Sequence, residues 1–213
     1  MKNQTIVTPK GVARFPHLNE PDCRFNADGV YNVTLRLADA EAKPMIAQLT
    51  QMFDEHYANT LKEQNKKTLK KGPMPWGVAQ DWDSENETKV EVPGFTDFKF
   101  SLKAMVKTKT GKTWEQKPAL FDAKLKPISP DSDPIGGGSI IKVNSEIYPW
   151  FSPSLGVGIS LRIRGVQVIE LKTYTPSDGK SMGFAAQDGY EAPASSASAF
   201  QNSSDTEDTG GDF

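Results

Sequence analysis

Hydrophobic and polar residues alternate with a period of two along several stretches of the chain. In residues 31–37, Tyr31, Val33, Leu35 and Leu37 share one face, and Asn32, Thr34 and Arg36 take the other. Residues 98–107 repeat the scheme, setting Phe98, Phe100, Leu102, Ala104 and Val106 opposite Lys99, Lys103 and Lys107. Such alternation predicts half-buried β-strands. Residues 139–147 and 157–171 are rich in β-branched residues and bounded by glycine or proline; shorter candidates lie at Ile6-Val7 and residues 119–121. The apolar parity shifts across Gly165, from Ile159, Leu161 and Ile163 to Val166 and Val168, which predicts a bend or bulge there.

One stretch follows the other period. Between about residues 42 and 66, Met45, Ile46, Leu49, Met52, Phe53, Tyr57 and Leu61 recur at three- and four-residue spacing, the stripe of an amphipathic helix. Pro44 fits near a helix start, so the boundary is expected between Asp39 and Pro44. The pattern runs out into the lysines of residues 66–71 and stops at Gly72-Pro73. Five or six short strands with one helix predict a mainly β protein, a small antiparallel barrel carrying one inserted α-helix. A doubly wound sheet would need repeated helical crossovers.

From about Thr175 the composition changes to serine, alanine, glycine and aspartate, as in residues 192–199. Such a segment buries too little apolar surface to offset the entropy of ordering, so residues 176–213 are expected to be a disordered tail behind a domain of residues 1–175. The tail ends on Phe213, an aromatic with no core to join, preceded by Asp205, Glu207, Asp208 and Asp212.

Charge sharpens this division. The net charge of −2 comes from 25 basic and 27 acidic residues, but residues 176–213 hold seven acids and one lysine. That leaves 24 basic and 20 acidic residues in the body: a mildly basic domain with an acidic tail, an asymmetry that points towards nucleic acid. The single Cys23 precludes an internal disulfide framework. No run of apolar residues is long enough to span a membrane, and the N-terminus leads into no apolar signal region, so a soluble intracellular protein is expected.

Catalytic constellations are scarce. His17 and His56 belong to no spaced ligand set for zinc. The glycines of residues 136–138 lead into a strand without the lysine of a phosphate loop. Asp81, Asp83, Glu85 and Glu87 could hold magnesium for a nuclease, but alternating acids more often decorate a solvated edge. No enzyme, metal or cofactor is expected.

Nucleic-acid binding has more support. Lys99, Lys103, Lys107 and Lys109 form an outward row with steps of about 7 Å or a small multiple, comparable with phosphate spacing. The row continues through Lys112 into a hairpin-like tip bearing Trp114, and Arg162 and Arg164 alternate outward elsewhere. Single-strand binders combine such bases with aromatic faces on which unstacked bases rest. Trp76, Trp82, Trp114, Tyr148, Trp150 and Phe151 are the candidate platforms, Trp76 and Trp150 foremost, and about half are expected to be core instead.

Residues 138–151, residues 156–169 with a Gly-Val pair before a strand reaching Val166-Gln167, and the opening residues 8–16 resemble the single-stranded DNA-binding proteins of tailed phages. The resemblance implies an OB-fold and a protein that coats single-stranded DNA in the cytoplasm of an infected bacterial host. It also implies a tail in which Asp205, Glu207, Asp208, Asp212 and Phe213 recruit replication proteins such as polymerase or helicase and compete with DNA. A homodimer is left open. The alternatives are a phage structural or assembly protein that binds protein through the same barrel, and the magnesium nuclease.

Overall fold

A computed structural model describes residues 4–108, 110–129 and 132–173, together with Ala185 and Gly189. Its elements in chain order are β1 (Thr5–Val7), β2 (Gly11–Asp22), β3 (Val30–Ala38), α1 (Asp39–Glu63), β4 (Trp76–Asp83), β5 (Thr88–Lys103), β6 (Met105–Lys107), β7 (Thr113–Glu115), β8 (Ala119–Phe121), β9 (Ile140–Ser152) and β10 (Gly156–Glu170). The chain divides into two units, Met1–Thr175 and Pro176–Phe213. The expected disordered tail, with Asp205, Glu207, Asp208, Asp212 and Phe213, lies outside the described residues.

Five strands close a ring in the order β2, β3, β5, β10, β9 and back to β2. This is the OB-like barrel that was expected, but it is not antiparallel throughout. β10 runs parallel to β5, with Leu161 opposite Phe100 and Arg162 opposite Ser101. Parity requires it: strands that alternate in direction cannot close a ring of five, so one junction must be parallel. β1 extends the sheet beside β9, and β8 adds a second parallel pairing to β10 beyond the end of the β5 contact.

The barrel is filled from the alternating faces. Val33, Leu35 and Leu37 of β3 meet Phe98 and Phe100 of β5, Ile141, Val143 and Ile147 of β9, and Ile159, Leu161 and Ile163 of β10, all of them buried. Fully burying a side chain of this size contributes about 1.5–3 kcal/mol, so the period-two pattern fixes the register of β3, β9, β10 and the second half of β5. The register between β9 and β10 slips between Ile163 and Gly165, the irregularity that the parity change at Gly165 predicts.

The helix lies against β3, β5, β9 and β10 through Ala42, Met45, Leu49 and Phe53. It begins and ends about three residues earlier than its apolar stripe suggests. Asn65 stands in the left-handed region at φ 50°, its amide donates to Lys62 O, and that of Lys66 donates to Leu61 O. This is a Schellman stop, and asparagine tolerates its left-handed position. The lysine-rich segment instead turns back along the helix: Tyr57 and Leu69 exchange hydrogen bonds, and Lys71 Nζ stands 5.4 Å from the Phe53 ring centroid. Among the described residues no helix is long and apolar enough to cross a membrane.

The largest departure from expectation is in residues 72–97, which the hydrophobic pattern leaves as a loop. They form a two-stranded arm: β4 pairs with β5 from Phe98 back to Thr88, with Trp76 opposite Phe98 at its root, then Gln80 opposite Glu91 and Trp82 opposite Lys89. Val78, Trp82 and Val90 on this arm are exposed and Ala79 is the one buried residue of β4, so core burial selects little of its sequence.

Candidate nucleic-acid interface

Cross-strand registers assemble the outer face of the barrel. Arg14 of β2 stands opposite Thr34 of β3, which stands opposite Lys99 of β5. In the next row, His17, Asn32, Ser101, Arg162 and Glu146 follow one another across β2, β3, β5, β10 and β9. Lys103 lies one step further along β5, opposite Val30. Lys99, Lys103, Arg162 and Arg164 are all exposed. Arg162 and Arg164 share a shallow depression with Gln116, Lys117 and Glu146. The Arg162 guanidinium lies 3.4 Å from the centre of the Tyr148 ring, a close cation–π contact. Five of the expected site residues, Lys99, Lys103, Tyr148, Arg162 and Arg164, thus share one face.

The remaining sequence candidates disperse. The lysine row breaks at Ala104, where β5 ends: Lys107 belongs to the separate β6–β7 hairpin and makes a 2.6 Å ion pair with Asp28. Lys112 lies at the tip of that hairpin and Trp114, half exposed, on its return strand. Lys109 falls outside the described residues. Trp150 is on the outer side of β9 but is wedged: a Cβ on Gly158 would come within 2.2 Å of its ring and one on Gly72 within 2.5 Å. Its carbonyl is held by His56 Nε2 at 3.1 Å. Phe151 is partly buried and packs against the core, the next step along the strand from Trp150.

A second feature adjoins the basic face. Between the β4–β5 arm and the barrel runs a cleft of about 660 Å³, lined by Phe15, Trp76, Trp82, Lys89 and Lys99 among others. Trp76 is half-buried and packs partly on the core, while Trp82 is 64% exposed. The cleft's walls also carry Asp81, Glu91 and Asp97, but two of these acids are neutralised. The buried Arg36 donates from Nε and Nη2 to Asp97, at 2.8 and 2.9 Å, and from Nη1 to Asp81. Arg14 donates to Asp81 as well. The Asp97 carboxylate, through these hydrogen bonds, holds the Arg36 guanidinium further above its ordinary range. Asp83 closes the turn of the arm by accepting from Asn86 Nδ2 and from the backbone amide of Glu85, and these bonds keep its carboxyl below the usual range. Asp81 and Asp83 are therefore tied to structural partners, and among the described residues no cluster able to hold a metal ion forms.

Sequence reasoning missed Arg14, Lys117 and Phe15 as parts of this surface. Arg14 and Lys117 sit outside any strictly alternating run, and only the register shows what they face. Phe15 has the parity of the buried Gly11 and Ala13, so periodicity assigns it to the core, yet it is 72% exposed.

Comparison with known proteins agrees with this geometry. The family described as the single-stranded DNA-binding protein of bacteriophage T7 matches residues 10–171. The single-stranded DNA-binding protein of Escherichia phage T7 is 27% identical over 199 residues, covering 86% of this chain and 80% of its own length. The crystal structure of the T7 protein superposes with a TM-score of 0.66 at 25% identity, covering 90% of this chain and all of the other. The single-stranded DNA-binding protein of bacteriophage Enc34 in complex with single-stranded DNA has a TM-score of 0.50 at 12% identity, covering 79% of this chain and 87% of its own, a likeness of fold. With the matched residues spanning every strand of the closed barrel, the chain belongs to the T7-type family of phage single-stranded DNA-binding proteins.

Proposed function

We propose that the chain coats single-stranded DNA during phage replication and recombination, and that it binds rather than catalyses. The observation that carries this reading is the continuous outer face on which Lys99, Lys103, Arg162 and Arg164 flank the Arg162–Tyr148 stack. Family membership supports the same reading. On an OB-fold, the face of the second and third barrel strands, here β3 and β5, is where oligonucleotides bind. Cationic groups there release counterions from phosphates, and aromatic faces take unstacked bases without regard to sequence. Binding is therefore salt-sensitive and nearly sequence-independent.

The finer parts of the reading concern the tail and the setting. Asp205, Glu207, Asp208, Asp212 and Phe213 recruit replication proteins and, as a tethered polyanion, compete with DNA for the basic face. Deleting residues after Ser196 strengthens DNA binding severalfold; unchanged or weaker binding would remove the competition. The protein works in the cytoplasm of the infected host.

The direct test is binding to labelled oligo-dT and to a duplex of equal length over a salt series, read by probe anisotropy and tryptophan fluorescence. Tight oligo-dT binding that quenches tryptophan and fades with salt is expected. Equal affinity for both substrates without quenching would leave a backbone-only DNA binder. Binding to neither would return the barrel to a protein-interaction role.

A further inference from the structure

Phe15 stands in β2 with φ 49°, in the left-handed region that a bulky side chain rarely adopts. The registers show how it gets there. Arg14 pairs with Thr34 and His17 with Asn32, so two residues of β2 lie between these pairs where β3 has one. That is a bulge with one extra residue, at a place where a left-handed position ordinarily falls to glycine. Its consequence is a change of side: Gly11 and Ala13 are buried, Phe15 by the same parity would follow them, but the bulge turns it out and the next inward residue is Leu18. Both flanks hold the bulge in place, through the Arg14–Asp81 ion pair on one side and the His17–Asn32 pairing on the other. Arg14 also sits over the Phe15 ring, 5.5 Å from its centre.

The chain therefore keeps an aromatic in a strained conformation and buries little of it. Strain of this kind persists where the surrounding structure enforces it and is concentrated at functional sites. The ring is exposed into the cleft that it shares with Trp76 and Trp82, beside Lys89 and Lys99.

We propose that Phe15 is a preset stacking platform and that the cleft it shares with Trp76 and Trp82 takes an unpaired nucleobase of single-stranded DNA. The charges suit that occupant. Asp81 and Asp97 are neutralised by Arg14 and Arg36, and Glu91, which also lines the cleft, is offset by Lys89 and Lys99, so a base meets rings and a lining without net negative charge. The flanking phosphates run to Lys99 and on to Lys103 and Arg162 along the outer face. The inference rests on the reading of the protein as a single-strand binder and adds one subsite to it. Because the bulge sets the ring before the strand arrives, little ordering cost remains to be met on binding.

The test compares wild type with Phe15→Gly, Phe15→Leu and Phe15→Trp in oligo-dT binding and thermal melting. Glycine suits φ 49° better than phenylalanine. Phe15→Gly is therefore expected to melt at the same temperature as wild type or higher while binding oligo-dT about 10-fold more weakly, the scale of one lost stacking contact. Phe15→Leu loses binding similarly, and Phe15→Trp keeps it. If wild type binds and Phe15→Gly binds equally well, the stacking subsite is overturned. If Phe15→Gly loses melting temperature together with binding, Phe15 is a structural residue and the proposal fails. If wild type itself binds no oligonucleotide, the fault lies with the functional reading beneath it.

Discussion

The two halves of β5 follow different rules. From Phe98 to Lys103 the strand alternates strictly, with Phe98, Phe100 and Leu102 buried and Lys99, Ser101 and Lys103 exposed. From Thr88 to Glu91 all four residues are exposed and no alternation survives, although the backbone is paired to β4 throughout. The first region is held by the core and presents its charges because the pleat leaves them nowhere else to go. The second is held by backbone pairing and by the Arg36 ion network at its root. Burial does not select its side chains, and Trp82 and Lys89 stand exposed on it.

The sharpest way to break this contrast is to cut into each half. Phe98→Ala, at a fully buried ring, is expected to cost about 3–5 kcal/mol in urea unfolding. Val90→Ala on the arm should stay within about 0.5 kcal/mol. Equal losses would mean that the arm is as much part of the core as the barrel. Next in size is the root of the arm. Arg36→Met leaves Asp97 and Asp81 facing each other without their shared cation and should cost about 3 kcal/mol. A loss below about 1 kcal/mol would make the network an ordinary surface pairing.

Trp82→Ala reverses the emphasis. It should leave unfolding unchanged within about 0.5 kcal/mol and weaken oligo-dT binding about 10-fold. A stability loss without a binding loss would place Trp82 in the fold instead. The smallest effect is expected at the arm's turn. Asp83 has its carboxyl held below the ordinary value, chiefly by Asn86, so its contribution is present above the unfolded value of about 3.9 and is lost as pH falls through the lower folded value. Asp83→Ala should melt slightly below wild type at neutral pH and converge with it in acid; a constant gap would mean that the charge is not involved.

Four of the five ring strands were legible in the chain because they are selected by burial, and burial writes a period; β2, whose inward residues Gly11, Ala13 and Leu18 keep no such period, was not. Tyr31, Val33, Leu35 and Leu37 announce β3, and Gly165 announces the slip in β10, without any knowledge of partners. Lys99, Arg162 and Arg164 were legible on the same ground, as the polar half of an alternation. The arm was not legible, because Thr88–Glu91 is exposed throughout and β4 buries only Ala79, which leaves no period to read. Phe15 was not singled out for a related reason: its parity is that of the core, and one inserted residue reverses it. Trp150 had the right exposure class for a platform, but the closeness of Gly158 and Gly72 to its ring depends on strands that meet only in three dimensions. The parallel junction between β5 and β10 follows from closing five strands, and the number of strands in the ring cannot be counted from sequence alone.

The central claim is that phosphates of a single strand run along the outer face of β5 and β10. It is tested most directly by the slope of log affinity against log salt for oligo-dT, in wild type and in the Lys99→Ala, Arg162→Ala double variant. Each phosphate contact on a single strand contributes about 0.7 to that slope, so the variant should bind more weakly with a slope shallower by about 1.4. An unchanged slope, with wild type still binding, would mean that the strand follows another path across the protein.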